Sequence, residues 1–392
     1  MKMQICSFGL MAMVWLSMPH STWGQNPVIT TFSHNGVLVC SNLNPGSVAT
    51  VEWASSVTGP WQSDWSPLSA VPVTSSRTIQ VSAPRFYRVR GASGTNSAPG
   101  GMAYIPAGPF TIGDTIDGDI AQNDGASKTL TVSAFFMDTN LVSYSQWLGV
   151  FAYATNRGYR FSGLAAGKGP NHPVHSVDWY DCVKWSNARS VQAGLTPVYY
   201  TDEALTQVYT NGQTDAVYGN WTAKGYRLPT EAEWEKAARG SVSGQRFPWG
   251  AFATWKEANY FSTTNVFNGY TFPSYVAYNL QPVVGLNPAY HIGVFPFTAP
   301  VGSFAPNGYG LFDMAGNLGQ RCWDWYAGQP YPVGSPYLGG TDPRGPATGT
   351  YRVTRGGSWN HYASQVRCAF RSYYYPPGYN DSTIGFRCVR GL

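Results

Sequence analysis

The sequence is short of charge. Only 11% of its 392 residues are Asp, Glu, Lys or Arg, where about 25% is usual for a globular protein. That shortage excludes a coiled coil, a long helical bundle and charge-driven disorder. The charge that is present, 25 Lys and Arg against 20 Asp and Glu, is scattered singly with no run of one sign, which argues against nucleic acid as a partner. After the first two dozen residues no stretch is apolar enough to cross ~30 Å of hydrocarbon. Cysteine is scarce, with six in the chain. Abundant instead are Gly (44), Pro (28) and aromatics (15%), the composition of a loop-rich globular protein. At ~150 residues per domain the length predicts two domains, or one large irregular domain with an appendage.

Residues 1–24 read as a secretory signal: Lys2, an apolar stretch from Ile5 to Met18, then Thr22 and Gly24 before a cleavage point near Gln25. The expectation is an exported protein (periplasmic, cell-surface or secreted) with no transmembrane anchor after cleavage; the alternative is a signal retained in the membrane. Beyond the signal lie Cys40, Cys182, Cys322, Cys368 and Cys388. Export permits disulfides, and an odd number leaves one thiol over.

Residues 26–91 alternate short β-type runs with turn chemistry. Ala49, Val51 and Trp53 alternate with Thr50 and Glu52, and Ile79 and Val81 flank Gln80, predicting half-buried strands of a small all-β sandwich. Residues 92–101 are a Gly/Ser/Ala/Pro linker. From 102 to 392 three helices are predicted. Ser143 caps the first, with Trp147, Leu148, Phe151 and Ala154 inward and its end before Gly158; Asp178 caps the second, with Trp179, Cys182, Val183 and Ser186 on one face and Gly194 as its stop. The third opens with a capping box, Thr230 to Glu233, behind Pro229. After Gly240 no helical periodicity remains, so the rest must be ordered, turn-dominated structure.

The motifs GYRLPTEAEWEKAARG (from Gly225), FPWG (from Phe247), APNGYGLFDMAGN (from Ala305), YRVTRGGSWN (from Tyr351) and IGFRCVR (from Ile384) resemble, in order, those of the sulfatase-modifying-factor family, whose founding activity is that of the formylglycine-generating enzyme. MAYIPAGPFTIGD (from Met102) and NHPVHSVDWYDCVKW (from Asn171) match as well, so the resemblance covers Met102 to Leu392. It implies an α+β, C-type-lectin-like fold with little regular secondary structure and a core held by buried Trp and Arg. The family's enzyme uses copper on two cysteines shortly after RGGS, since soft thiolates select Cu(I). Here Trp359 to Arg367 contains no cysteine, and Cys368 matches a structural position. Copper is therefore not expected, and His361 alone makes a poor copper site.

The resemblance also implies calcium sites, weakened here. One would use Asn317 and the position of Gln320, where the family has Glu, while Arg321 stands for a Trp; the other would use Asn259, with Gly293 in place of an Asp. Cys388 pairs in the family with a cysteine at the position of Ser186, which suggests Cys182, one turn away, as substitute partner; Cys322 with Cys368 is the second expected bridge, leaving Cys40 free.

Other constellations read as structural. His172 and His175 flank an extended Pro-Val segment, Glu231, Glu233 and Glu235 sit in a helical first turn, Arg355-Gly-Gly-Ser358 is a tight backbone passage, and Arg227, Arg371 and Arg387 are expected to be buried with carboxylate and carbonyl partners. The ligand-binding candidates are Trp359, Asn360, His361, Tyr362, Tyr373, Tyr374, Tyr375, Tyr379 and Asn380, a Tyr-rich, paratope-like composition. Two functions follow: an exported, non-catalytic module binding a protein, peptide or glycan through this C-terminal aromatic surface, or a family oxidoreductase working through a site without the copper cysteines.

Overall fold

A computed structural model describes residues 98–114, 116, 127–263, 278–328, 335–373 and 375–392, the strand backbones between residues 28 and 91, and one hairpin within 266–271. The signal segment, the side chain of Cys40, residues 92–97 of the linker and Tyr374 lie outside the described residues. The chain divides into two compact units, Met1–Thr95 and Asn96–Leu392.

In the first unit the strands are β1 (Val28–Phe32), β2 (Val37–Ser41), β3 (Val48–Ala54), β4 (Val71–Pro72), β5 (Thr78–Gln80) and β6 (Phe86–Gly91). They form two antiparallel three-stranded sheets, ordered β1-β2-β5 and β4-β3-β6. The alternating segment Ala49–Trp53 falls on β3, and Ile79 and Gln80 of the second alternating segment fall on β5, while its Val81 lies outside the described residues.

The second unit begins with β7 (Met102–Ile105), β8 (Gly108–Ile112), β9 (Lys128–Val132), β10 (Phe135–Asp138), α1 (Tyr144–Thr155) and α2 (Trp179–Gln192). Then come β11 (Tyr199–Tyr200), β12 (Tyr218–Gly219), β13 (Tyr226–Arg227), α3 (Glu231–Ala238), β14 (Val266–Phe267), β15 (Tyr270–Thr271), β16 (Gly319–Trp325), β17 (Arg352–Arg355), β18 (Arg371–Ser372), β19 (Ile384–Gly385) and β20 (Val389–Arg390). One sheet, ordered β13-β20-β10-β7, places the last strand of the chain beside the first strands of the unit. The other, β18-β17-β16-β19, carries the turn that leads into the aromatic C-terminal loops. The result is α+β with few helices and several small sheets.

The helices begin where the sequence places their caps. Ser143 accepts from the Gln146 amide at 3.2 Å and Asp178 from that of Asp181 at 2.6 Å. Gly194, at φ +69°, ends α2 in the left-handed conformation that favours glycine. On α1 the buried face is Trp147, Val150 and Ala154. Leu148 does not join it as predicted but is 45% exposed, because one step beyond Trp147 it is rotated off the stripe. Trp147 stacks on Trp185 of α2 at 5.8 Å between ring centres.

Helix α3 is buried although three of its first five residues are Glu. Thr230 and Glu233 close the capping box, with Glu233 N to Thr230 Oγ1 at 3.1 Å and Thr230 N to Glu233 Oε2 at 2.8 Å. Each carboxylate then meets arginine. Arg371 forks onto Glu231 at 2.6 and 2.8 Å, Arg227 onto Glu233 at 2.6 Å twice, and Arg239 together with Arg355 onto Glu235. Arg387 is held by carbonyls of Asp138, Thr139 and Phe312. The glutamates and arginines singled out in the sequence are thus framework. Bidentate pairing is what makes such burial tolerable.

Removing one partner exposes that dependence. Glu231→Ala leaves Arg371 charged and buried, and it is expected to cost about 3–5 kcal/mol in urea unfolding. Because Arg371 holds the Glu231 carboxyl below its ordinary range, the pair's contribution is present above the unfolded carboxylate range and is lost as pH falls through the lower folded value. The variant's unfolding curve should accordingly depend less on pH in that acidic window.

Candidate ligand-binding site

Strand β17 ends at Arg355, and the chain turns through Gly356 and Gly357 at φ +86° and +61°. A Cβ on Gly357 would lie 2.6 Å from the Gln365 carbonyl oxygen, so the passage requires glycine. It delivers Ser358 and Trp359, both buried, followed by exposed Asn360. Ser358 Oγ lies 2.8 Å from His361 Nδ1 and accepts from the Asn360 amide at 3.3 Å. Burial pushes the His361 imidazole down to about 4 against a weaker opposing pull from Asp381, so at neutral pH the ring is uncharged. Cys368, the first cysteine beyond it, is buried beside Arg355, which donates to its carbonyl at 2.8 Å, and burial pushes its thiol up to about 12.

Asn259 and Asn317 are joined by a backbone hydrogen bond of 2.8 Å, Asn317 donating. The Asn317 side chain is closed on Ala299, accepting from its amide at 3.0 Å and donating to its carbonyl at 3.1 Å, and Asn259 donates to the Phe297 carbonyl at 2.8 Å. Gln320 is engaged elsewhere: its Oε1 accepts from Trp234 Nε1 at 2.8 Å and Arg387 Nε at 2.7 Å, and its Nε2 donates to the Asp313 carbonyl at 2.8 Å. Gly293 is exposed at φ +69°. Among the described residues no three His, Cys, Asp or Glu side chains are grouped to hold a metal ion.

The aromatic candidates divide between two places. The buried Trp359 ring meets Phe295 and Phe297 edge-on at 5.2 and 5.5 Å and donates to the Ser382 carbonyl at 3.3 Å. Half-buried Tyr362 packs against Phe261, whose amide donates to the His361 carbonyl. Tyr375 and Tyr379 stack at 5.2 Å, and Tyr379 Oη donates to Asp381 at 3.3 Å, next to half-buried Asn380. Ser382 and Asp381 thereby link this pair to Trp359 and His361. Tyr373 stands apart, stacked on Tyr326 at 4.7 Å and edge-on to Tyr351.

Sequence reasoning missed the loop that completes the surface. Phe295 is 60% exposed while touching Trp359, and its neighbour Val294 is 80% exposed. The apolar, turn-rich run HIGVFPF (from His291) was the available signal, since exposed apolar patches mark interaction sites. Trp359 is the floor of this surface rather than part of its face.

The predicted disulfides are corrected. Cys182, Cys322, Cys368 and Cys388 are all buried free thiols. Ser186 Oγ sits 3.5 Å from Cys388 Sγ, so the serine faces the thiol from the position implied for a partner cysteine, and Cys182 one turn away does not take its place. His172 bonds Thr298 at 2.9 Å and His175 bonds Ser176 at 2.9 Å, so the two rings serve separate partners.

A fold of few helices and small sheets, with a glycine-bound turn feeding a C-terminal aromatic loop, defines a formylglycine-generating-enzyme-like domain. The chain belongs to the sulfatase-modifying factor family: the family model described as sulfatase-modifying factor enzyme 1-like domain matches residues 89–392. It is similar to the formylglycine-generating enzymes of Thermomonospora curvata, at 35% identity over 74% of this chain and 93% of that protein, and of Mus musculus, at 32% over 78% and 81%. Among solved structures it resembles Treponema denticola variable protein 1, with a TM-score of 0.53 and 27% identity over 74% of this chain and 95% of that one.

Two measurements check this geometry. A thiol reagent should leave Cys182, Cys322, Cys368 and Cys388 unmodified in the native protein and label all four after denaturation without reductant; recovery of a Cys182–Cys388 peptide would contradict it. For His361, the unfolded ring binds its proton near 6.5 and the folded one only near about 4, so between those values the unfolded state holds more protons and stability falls as pH drops. His361→Gln should flatten that part of the unfolding pH profile.

Proposed function

We propose that the protein is an exported, non-catalytic binding module on the formylglycine-generating-enzyme scaffold, recognising a protein, peptide or glycan. Its recognition surface is the patch of Val294, Phe295, Asn360, Tyr362, Tyr379 and Asn380 over the Trp359 floor. The observation that carries this reading is the donor set behind the RGGS turn. Copper held as in the family's enzyme needs two adjacent thiolates. This stretch offers one imidazole whose Nδ1 is engaged by Ser358, and a Cys368 thiol that burial keeps protonated. These residues do not fit copper.

Rigid rings on a surface loop supply contact area at small entropic cost, which supports binding as the use of the remaining patch. Calcium would have only Asn259 of the implied side chains, with carbonyls and water completing its shell; Asn317, closed on Ala299, and Gln320, spent on Trp234 and Arg387, add nothing to it. In this reading the two N-terminal sheets pack face to face as a small sandwich that presents the module.

The catalytic alternative is separable by assay. Purified protein supplied with copper should not convert the cysteine of a Cys-x-Pro-x-Arg peptide to formylglycine; mass-spectrometric appearance of the aldehyde would favour the oxidoreductase. For binding, Phe295→Ala and Tyr379→Ala, both at exposed rings (60% and 41%), should each cost on the order of 2 kcal/mol of ligand affinity with little change in melting temperature. Unchanged affinity in both would place the binding surface elsewhere.

A further inference from the structure

Among the described residues two buried cations, Arg321 and Arg352, lack a carboxylate and have unpartnered guanidinium nitrogens, Arg321 two and Arg352 one. The other arginines of the core whose surroundings are described above meet carboxylates, as do Arg227, Arg239, Arg355 and Arg371, or a full set of carbonyls, as does Arg387. Arg352 is sandwiched between Trp179 and Trp325, at 3.7 and 3.5 Å from the ring centres. Arg321, on β16 at the start of its bulge, is completely buried, yet its guanidinium makes one hydrogen bond, from Nη2 to the Tyr379 carbonyl. Its Nε and Nη1 have no hydrogen-bond partner among the described residues. Among the described residues no carboxylate lies within ion-pair distance of it; Asp178, which acts on it from further away, is spent accepting from the Asp181 amide and from Gln213 Nε2 at 2.8 Å. The desolvated guanidinium is correspondingly pushed below its ordinary range.

A guanidinium carries five donors in a planar fork that matches a carboxylate. An uncompensated buried charge is costly, and a partner that arrives with the ligand removes that cost. The carbonyl to which Arg321 donates, that of Tyr379, belongs to the segment that bears the surface rings. Tyr375, Tyr379 and the Cys182 thiol act on it electrostatically, and the segment is pinned at Tyr375, whose carbonyl accepts from the Arg352 amide at 3.3 Å, at Pro377, whose carbonyl accepts from the Trp179 amide at 2.8 Å, and at Asp381, whose carbonyl accepts from the Ser176 amide at 3.0 Å. The segment is therefore attached by a few backbone hydrogen bonds, and the cation that donates to it has donors to spare.

We propose that Arg321 is the recognition point of a carboxylate subsite at the Tyr375–Asp381 segment, and that the ligand of the aromatic surface brings the carboxylate, as a peptide terminus or an acidic side chain does. The source of the carboxylate rests on the binding-module reading; the subsite itself does not.

Formate is the probe, with formamide as its neutral isostere and sodium HEPES holding ionic strength constant. The full chain should show a saturable rise in melting temperature with formate and none with formamide. Arg321→Met should melt higher than the parent without formate, because it removes an unpaired buried charge, and should lose the formate response; Arg321→Lys should keep the response at weaker affinity. In the parent protein, formate should also shift the Arg321 Nε–H resonance saturably, a readout that needs no variant. A formate response that is absent or non-saturable, one that persists in Arg321→Met, or a loss of stability in both variants would overturn the proposal. An intact formate response with unchanged ligand affinity in Phe295→Ala and Tyr379→Ala would overturn the surface reading alone.

Discussion

The pairing of three glutamates on one buried helix with Arg227 and Arg239 at its two ends and with Arg355 and Arg371 from the small sheet is the constraint on which the rest of the domain depends. Helix α3 brings Glu231, Glu233 and Glu235 into an interior that hydrophobic contact alone would not fix, because the second half of the domain is largely turns and short strands. Arg355 and Arg371 belong to the small sheet that launches the C-terminal loops, and Arg227 precedes the helix itself. Each fork has one geometry that satisfies it, so the helix fixes the sheet edge to within the tolerance of a hydrogen bond. Directional ionic contacts do here what long strands do in a regular fold.

That dependence also explains how the proposed recognition surface can be irregular and still ordered. Ser358 and Trp359 are set by a glycine passage that begins at Arg355, whose side chain is locked to Glu235 and to the Cys368 carbonyl. The rings that follow inherit their position from the network. Gln320 extends it: standing where the family places a carboxylate, its amide both accepts from Arg387 and donates to Asp313, two roles that one carboxylate cannot perform together.

What the sequence disclosed was local. Ser143, Asp178 and Thr230 cap helices because a cap is decided within four residues, and the ordered motifs carry the family because each is contiguous. Contacts between distant segments were not legible. Leu148 fits an apolar stripe as well as Val150 does until the neighbouring helix is in place. Trp359 looks like a surface ring until Phe295 and Phe297 arrive from a loop far away in the chain. The Cys182–Cys388 bridge failed on a similar point, since which turn of a fully buried helix faces the last strand depends on a rotation that no spacing rule sets. Arg321 gave no sign of its isolation, because an unpaired charge is a property of its surroundings.

The burial of so much of a small charge complement has a kinetic consequence. Among the described residues ten of the chain's 25 basic and eight of its 20 acidic residues are enclosed, and the described exterior carries only scattered charges, such as Lys128, Arg157, Glu203, Lys224 and Lys256, among uncharged side chains. Such an exterior projects little field beyond a Debye length of about 8 Å. A partner of the proposed surface would therefore arrive by unguided diffusion, at about the 10⁵–10⁶ M⁻¹s⁻¹ expected without steering. Selectivity at that surface would then be exercised after contact, through residence time.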